Sequence, residues 1–264
     1  MNDNHNFETR LANEAFWKEV FGPDNKPQKE IAPGSRYRTL PGWFPTKKNI
    51  RGEVRTREPL MIDLMIHLDT DPDIRIVAEF PIKQAIDCKD AHGEIKTEEH
   101  IPDIVALRRD GSVLVIDVMP FNVQAARRNT SRIRDARTVH YRDLGAKYLL
   151  LSETTLRLPV LKDLKRMWMH RQIEGEHPQM AELRKCLRRA TYPATIESLV
   201  RSMPINGIFT HSRTEGRSSA RHVTECNPVF SAVMQMVIRG ELDVDLANRL
   251  SPSTIVTRRN VAHV

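Results

Sequence analysis

Asp103 and Asp117 both lie in the run IPDIVALRRDGSVLVIDVMP, residues 101–120. Hydrolysis of a phosphodiester needs carboxylates of this kind, fixed a few ångströms apart, to hold Mg²⁺ or Mn²⁺ and to position an activated water. Asp103, following Pro102, also reads as an ordinary strand start. Asp117 is harder to explain away, because it interrupts the apolar run VLVI-D-VM and an unpaired charge there is costly. Two carboxylates held close together repel unless a cation or a proton joins them, which argues for a metal between them.

A hairpin is the element that brings them together. Ile104 to Arg108 and Ser112 to Val118 are β-branched runs separated by Arg109-Asp110-Gly111, a strong hairpin signal. A three-residue loop with Gly111 in the left-handed conformation pairs Arg108 with Ser112 and sets Asp103 opposite Asp117, with Cβ atoms about 4.5 to 5.5 Å apart. A two-residue Asp-Gly turn instead pairs Asp103 with Val118 and leaves the carboxylates on opposite faces. Upstream, Leu60, Met61, Leu64, Met65 and Leu68 recur at helical spacing and predict an amphipathic helix over Glu58 to Leu68, ending before Asp71-Pro72. Ile74 to Ile86 reads as strand, DCKDAHGEIKTEEH as a polar loop, Val123 to Leu144 as a long basic helix, and Tyr148 to Leu151 as a buried strand. Helix, strand, hairpin, helix, strand gives an α/β fold: a mixed sheet flanked by helices.

Pro102-Asp103 followed by Asp117-x-Met119 resembles the P-D…(D/E/Q)-x-K signature of restriction-endonuclease-like nucleases. The surrounding order, with EFPI at Glu79 to Ile82, HIPDIVAL, VIDVMP and LGAKYLLLSETTLR, is similar to the TnsA transposition endonucleases over about residues 43 to 157, and only loosely beyond. The resemblance implies a Mg²⁺-dependent endonuclease that cuts one strand at transposon ends beside a DDE transposase and an ATPase regulator. Its catalytic residues would be Glu58, Asp103 and Asp117, with the last two holding the metal. The family glutamate on the first helix falls at Met61 by ungapped counting, at Glu58 with a shifted offset, or at Asp63. The family lysine, which orients the attacking water and offsets charge in the transition state, falls at Met119, where a thioether cannot do that work. Lys83 and Arg127 are candidate substitutes. A catalytically degenerate DNA-binding subunit of the same family is therefore a second reading, and a stand-alone repair or restriction nuclease a third.

Charge favours a polyanionic partner. The net charge is +7; residues 1–155 carry 24 Lys+Arg against 24 Asp+Glu, and residues 156–264 carry 17 against 10, so the excess is C-terminal. The basic helix carries Arg127, Arg128, Arg132, Arg134, Arg137 and Arg142 against Asp135, which suits a duplex backbone. The expected organisation is an N-terminal arm over 1–50, the nuclease-like domain over 51–158 and a smaller, basic, mostly helical, winged-helix-like domain over 159–264. The arm interleaves Arg36, Tyr37, Arg38, Trp43, Lys47 and Lys48, suited either to lying along nucleic acid or to packing on the core. No run of apolar residues reaches membrane-spanning length and the N-terminus has no signal-peptide core, so a cytoplasmic protein is expected. Cys88, Cys186 and Cys226 are an odd number with no C-x-x-C pair and read as reduced thiols.

Overall fold

The computed structural model describes residues 13–31, 40–89, 94–124, 127–171, 179–205, 209–214 and 221–260. Side chains of 89, 125–131 and 206–226 lie outside that description, as do Arg36, Tyr37 and Arg38 of the arm. The chain divides into two compact units, one of residues 1–65 and 74–157, the other of 66–73 and 158–264.

The first unit is built on a four-stranded mixed sheet. Its strands β3 (Ile74–Glu79), β6 (Ile104–Arg108), β7 (Val113–Val118) and β8 (Lys147–Leu151) lie in the order β3-β6-β7-β8. The first two pairs are antiparallel and β7 and β8 run parallel. A parallel pair needs a long crossover, supplied here by α3 (Phe121–Gln124) and α4 (Arg127–Leu144). Val105, Val113 and Val115 of the sheet pack against Ala136 of α4 and Tyr148 of β8. The same core takes Trp17 and Val20 from a helix over residues 13–20 (α1) and Phe21 just after it, and the Trp17 indole N–H donates to the Leu144 carbonyl at 3.2 Å. This part of the arm is therefore core, because three large apolar side chains at helical spacing gain more from burial than from exposure.

Ahead of the sheet lie the antiparallel strands β1 (Gly42–Pro45) and β2 (Glu53–Thr56) and the helix α2 (Pro59–Thr70), opened by Pro59 at a position where its missing N–H costs nothing. α2 is less one-sided than its periodicity predicts: Asp63 and Asp69 are buried beside the apolar residues, and each faces a guanidinium, Arg157 at 2.8 Å and Arg171 at 3.6 Å respectively. The expected strand over 74–86 also breaks. Phe80 has φ 46° and ends β3, and the chain re-enters as β4 (Gln84–Lys89), paired with β5 (Ile95–His100) in a two-stranded ribbon where a polar loop is expected. Among the described side chains of β4, Ile86 and Cys88 are the buried ones, so this strand leaves an apolar alternation two positions long in the sequence.

The second unit contains α6 (Val160–Met169), α7 (Met180–Arg189), α8 (Ile196–Ser202) and α9 (Pro228–Ile238). Its three-stranded antiparallel sheet has the order β12 (Leu242–Val244), β13 (Ile255–Arg258), β9 (Ala194–Thr195), and a separate hairpin, β10 (Phe209–Thr214) with β11 (Arg221–Cys226), falls between α8 and α9. Asn227 caps α9 by accepting from the Val229 and Phe230 N–H groups, and nine of its eleven residues are buried, so α9 is the central helix of this unit. Among the described residues, Cys88 and Cys186 carry free thiols, and no helix is long and apolar enough to cross a membrane.

Candidate functional site

The β6–β7 hairpin adopts the three-residue loop. Ile104 pairs with Ile116 and Leu107 with Val113, the Arg108 N–H donates to the Ser112 carbonyl at 2.9 Å, and Gly111 takes φ 83°. That register puts Asp103 opposite Asp117, and each carboxylate caps the neighbouring strand. The Asp103 N–H donates to Asp117 Oδ1 at 3.0 Å, and the Val118 N–H donates to Asp103 Oδ2 at 2.9 Å. Both aspartates line a cavity of about 190 Å³.

The remaining oxygen capacity of Asp103 goes to Arg57, which lies between β2 and α2. Its Nε and Nη2 donate to the two Asp103 oxygens at 2.7 Å each, a bidentate fork, and Nη2 also donates to the Val118 carbonyl at 2.7 Å. Arg57 Nη1 pairs with Glu58 at 2.5 Å. One guanidinium therefore joins two of the three expected catalytic carboxylates. Asp117 is held from the other side: His100 Nε2 and the Tyr148 hydroxyl reach its Oδ2 at 2.7 and 2.6 Å. His100 Nδ1 lies 3.1 Å from Nε2 of the fully buried His140, whose ring stacks on Tyr148 with an interplanar angle of 4°.

Titration follows from these contacts. Burial lowers the Arg57 pKa, but the hydrogen bonds and charge of Asp103 more than reverse this, leaving the guanidinium firmly protonated. Burial raises Asp103 above the usual carboxylate range, and the Asp117 charge adds to it against the pull of Arg57. Burial pushes Asp117 in the same direction, yet the hydrogen bonds and charge of His100, together with Tyr148, bring it below its ordinary value. Burial lifts Glu58, with Arg57 opposing. Burial, and then the neighbouring His100, push His140 down to about 4.

Mg²⁺ takes an octahedral shell of oxygens at about 2.0 to 2.1 Å. Here both Asp103 oxygens and the Val118 carbonyl face Arg57, and both Asp117 oxygens accept from protein donors. Among the described residues no group of three or more His, Cys, Asp or Glu side chains is placed to hold a metal ion. As arranged, these residues do not fit a Mg²⁺ site: a guanidinium takes both Asp103 oxygens, and His100, Tyr148 and a backbone N–H take those of Asp117.

The other expected residues scatter. Met119, the residue that the resemblance aligns with a lysine, lines the cavity. Met61 is a wholly buried core residue, and Asp63 is committed to Arg157. Lys83, the suggested lysine substitute, sits just ahead of β4 and pairs with Glu99 at 3.3 Å, off the cavity. Arg132 of α4 does line the cavity, and its Nε lies 3.6 Å from Glu98. Arg134 and Arg142 are exposed beside Asp135 and Asp143, so α4 is better balanced in charge than its arginines alone suggest, and Arg137 is exposed. Arg127 and Arg128 open α4, with side chains outside the described residues.

Sequence reasoning passed over Arg57, His100, His140, Tyr148 and Lys29. Two signals for them existed: a phenol in a buried strand needs a hydrogen-bond partner, and so does a histidine three residues before a buried aspartate. No protein-family model and no curated protein sequence matches this chain.

Proposed function

We propose that this chain is a TnsA-like, duplex-DNA-binding subunit of a transposition system whose restriction-endonuclease-like core does not cleave. It would work beside a DDE transposase and an ATPase regulator. The observation that carries the reading is the bidentate Arg57–Asp103 pair, with its third bond to the Val118 carbonyl, beside a thioether at Met119. A guanidinium is a permanent cation that binds no water for attack, and a thioether offers no ammonium to the transition state.

The order α2, β3, the β6–β7 hairpin, α4 and β8 supports a restriction-endonuclease-like core. In the second unit the order α7, β9, α8, the β10–β11 hairpin, α9, β12, β13, with β13 in the middle of the three-stranded sheet, supports a winged-helix-like module with a hairpin inserted between its last two helices. Exposed Arg134, Arg137 and Arg142 on α4, and the C-terminal excess of cations, support contact with phosphates.

The second reading, an active nuclease using Mg²⁺ or Mn²⁺, draws on one observation: Asp103 and Asp117 share a face of one hairpin. Nicking of supercoiled DNA, with Mg²⁺ or Mn²⁺ and with and without the transposase and ATPase, separates the two. The expected result is salt-dependent binding without cleavage by the parent. Metal-dependent nicking by the parent that Asp103→Ala and Asp117→Ala abolish would overturn the proposal.

A further inference from the structure

The cavity beside the two aspartates has cationic walls that the carboxylate pair does not consume. Lys29 reaches it from the segment after α1, Arg57 from the turn before α2, and Arg132 from α4. Arg57 has five N–H donors. Nε uses one and Nη2 uses both of its own, while Nη1 meets Glu58 as an ion pair in which Glu58 Oε1 accepts no hydrogen bond, so among the described residues the Nη1 hydrogens are not donated. Lys29 makes no close ion pair among the described residues; its charge acts on Glu58 from a distance, and its ammonium lies 5.6 Å from the centroid of the Phe80 ring. Arg132 and Glu98 are separated by 3.6 Å and both are partly exposed, a weak pairing that an arriving anion can displace. The two aspartates of the wall are satisfied by Arg57, His100, Tyr148 and backbone N–H groups, so they present saturated oxygens to an anion.

We infer that this cavity seats a phosphate of a nucleic-acid strand without a divalent ion, held by Lys29, Arg57 and Arg132. Arg57 does through a covalent tether what a bound cation would otherwise do: it neutralises Asp103, and it lines the cavity with Nη1 hydrogens undonated. About 190 Å³ is some six times the ~30 Å³ that a water molecule occupies in the liquid, room for a phosphate with its ester oxygens. Met119 and Ile133 give the cavity an apolar wall against which a sugar can lie. The inference rests on the duplex-binding reading and goes further by naming where a phosphate goes and what holds it.

The test uses the full chain and a fluorescently labelled duplex, in EDTA and in Mg²⁺ at matched ionic strength. Equal affinity in the two buffers is expected. Lys29→Gln and Arg132→Gln should each weaken binding several-fold and reduce the slope of log K against log salt by about one. Lys96→Gln, which removes the same charge from an exposed position on β5 away from the cavity, serves as the control and should change the slope less. A parent that binds only with Mg²⁺, or cavity variants that behave like the control, overturns the phosphate seat and leaves duplex binding intact. Inorganic phosphate titrated into the parent, followed by NMR of the arginine and lysine side chains, provides the second arm. If duplex binding fails but phosphate shifts these resonances in the parent and not in Lys29→Gln, the seat stands and the duplex reading falls. If neither ligand binds, both fall.

Discussion

Arg57 pairs with Asp103 through a fork that leaves little room for rearrangement, and the two side chains meet across 46 positions of sequence. Removing the guanidinium leaves a buried charge without its partner. Arg57→Gln is therefore expected to cost about 3 to 5 kcal/mol in urea unfolding, and Asp103→Asn in the same background should recover part of the loss by removing the orphaned charge. Additive losses in the double variant would show that the pair does not act as a unit. His140 gives a second handle through pH. Its folded pKa lies at about 4 against an ordinary 6.5, so above pH 6.5 both states are neutral and its contribution is complete. As pH falls from 6.5 towards 4 the unfolded chain takes up a proton that the buried ring refuses, and stability on the order of 3 kcal/mol is lost across that window. His140→Gln should flatten the stability profile there, and an unchanged profile would exclude His140 as the titrating group. At this scale the sequence exposes Asp103 and Asp117, because a charge inside an apolar run is visible locally. The reach of Arg57 is not, since nothing near position 57 says that position 103 lies beside it.

The β6–β7 hairpin was legible as an element, though not in its register. Period-two alternation and Arg109-Asp110-Gly111 mark the hairpin but admit two registers, because a left-handed glycine suits a two-residue Asp-Gly turn as well as a three-residue loop; the structure adopts the three-residue loop, which makes the aspartates face each other. A Cβ at position 111 would meet no atom within 4 Å, so Gly111→Ala strains the backbone alone. A loss of about 1 kcal/mol by thermal or urea unfolding is expected, with the Asp103–Asp117 pairing retained. A much larger loss would mean that the loop had changed register. The β4–β5 ribbon was illegible for the opposite reason: most of β5 is exposed, so its pairing leaves no apolar stripe in the sequence. α2 misled in a third way. Its apolar spacing was correct, but burial extends round to Asp63 and Asp69, whose partners Arg157 and Arg171 lie about a hundred residues away in the chain.

For the molecule as a whole, on the proposed duplex-binding reading, charge and burial together set what kind of binding is expected. A winged-helix-like module commonly reads bases by laying one helix in the major groove. In the second unit α9 follows α8 after the β10–β11 hairpin, yet it buries nine of its eleven residues and is apolar over most of its length, so its face is spent on the core. Without that face, the +7 charge can act mainly through phosphates, which position a protein but carry no sequence information. The full chain alone should therefore bind unrelated duplexes with affinities within about tenfold of one another, a difference of about 1.4 kcal/mol, and log K should fall linearly with log salt. Competition of a labelled duplex against unlabelled ones of different sequence, repeated over a range of salt, measures both. A preference for one sequence well beyond tenfold, surviving at high salt, would mean that an element other than α9 reads base edges. Site choice in a transposition complex would otherwise fall to the partners, with this chain supplying a metal-independent grip on the backbone.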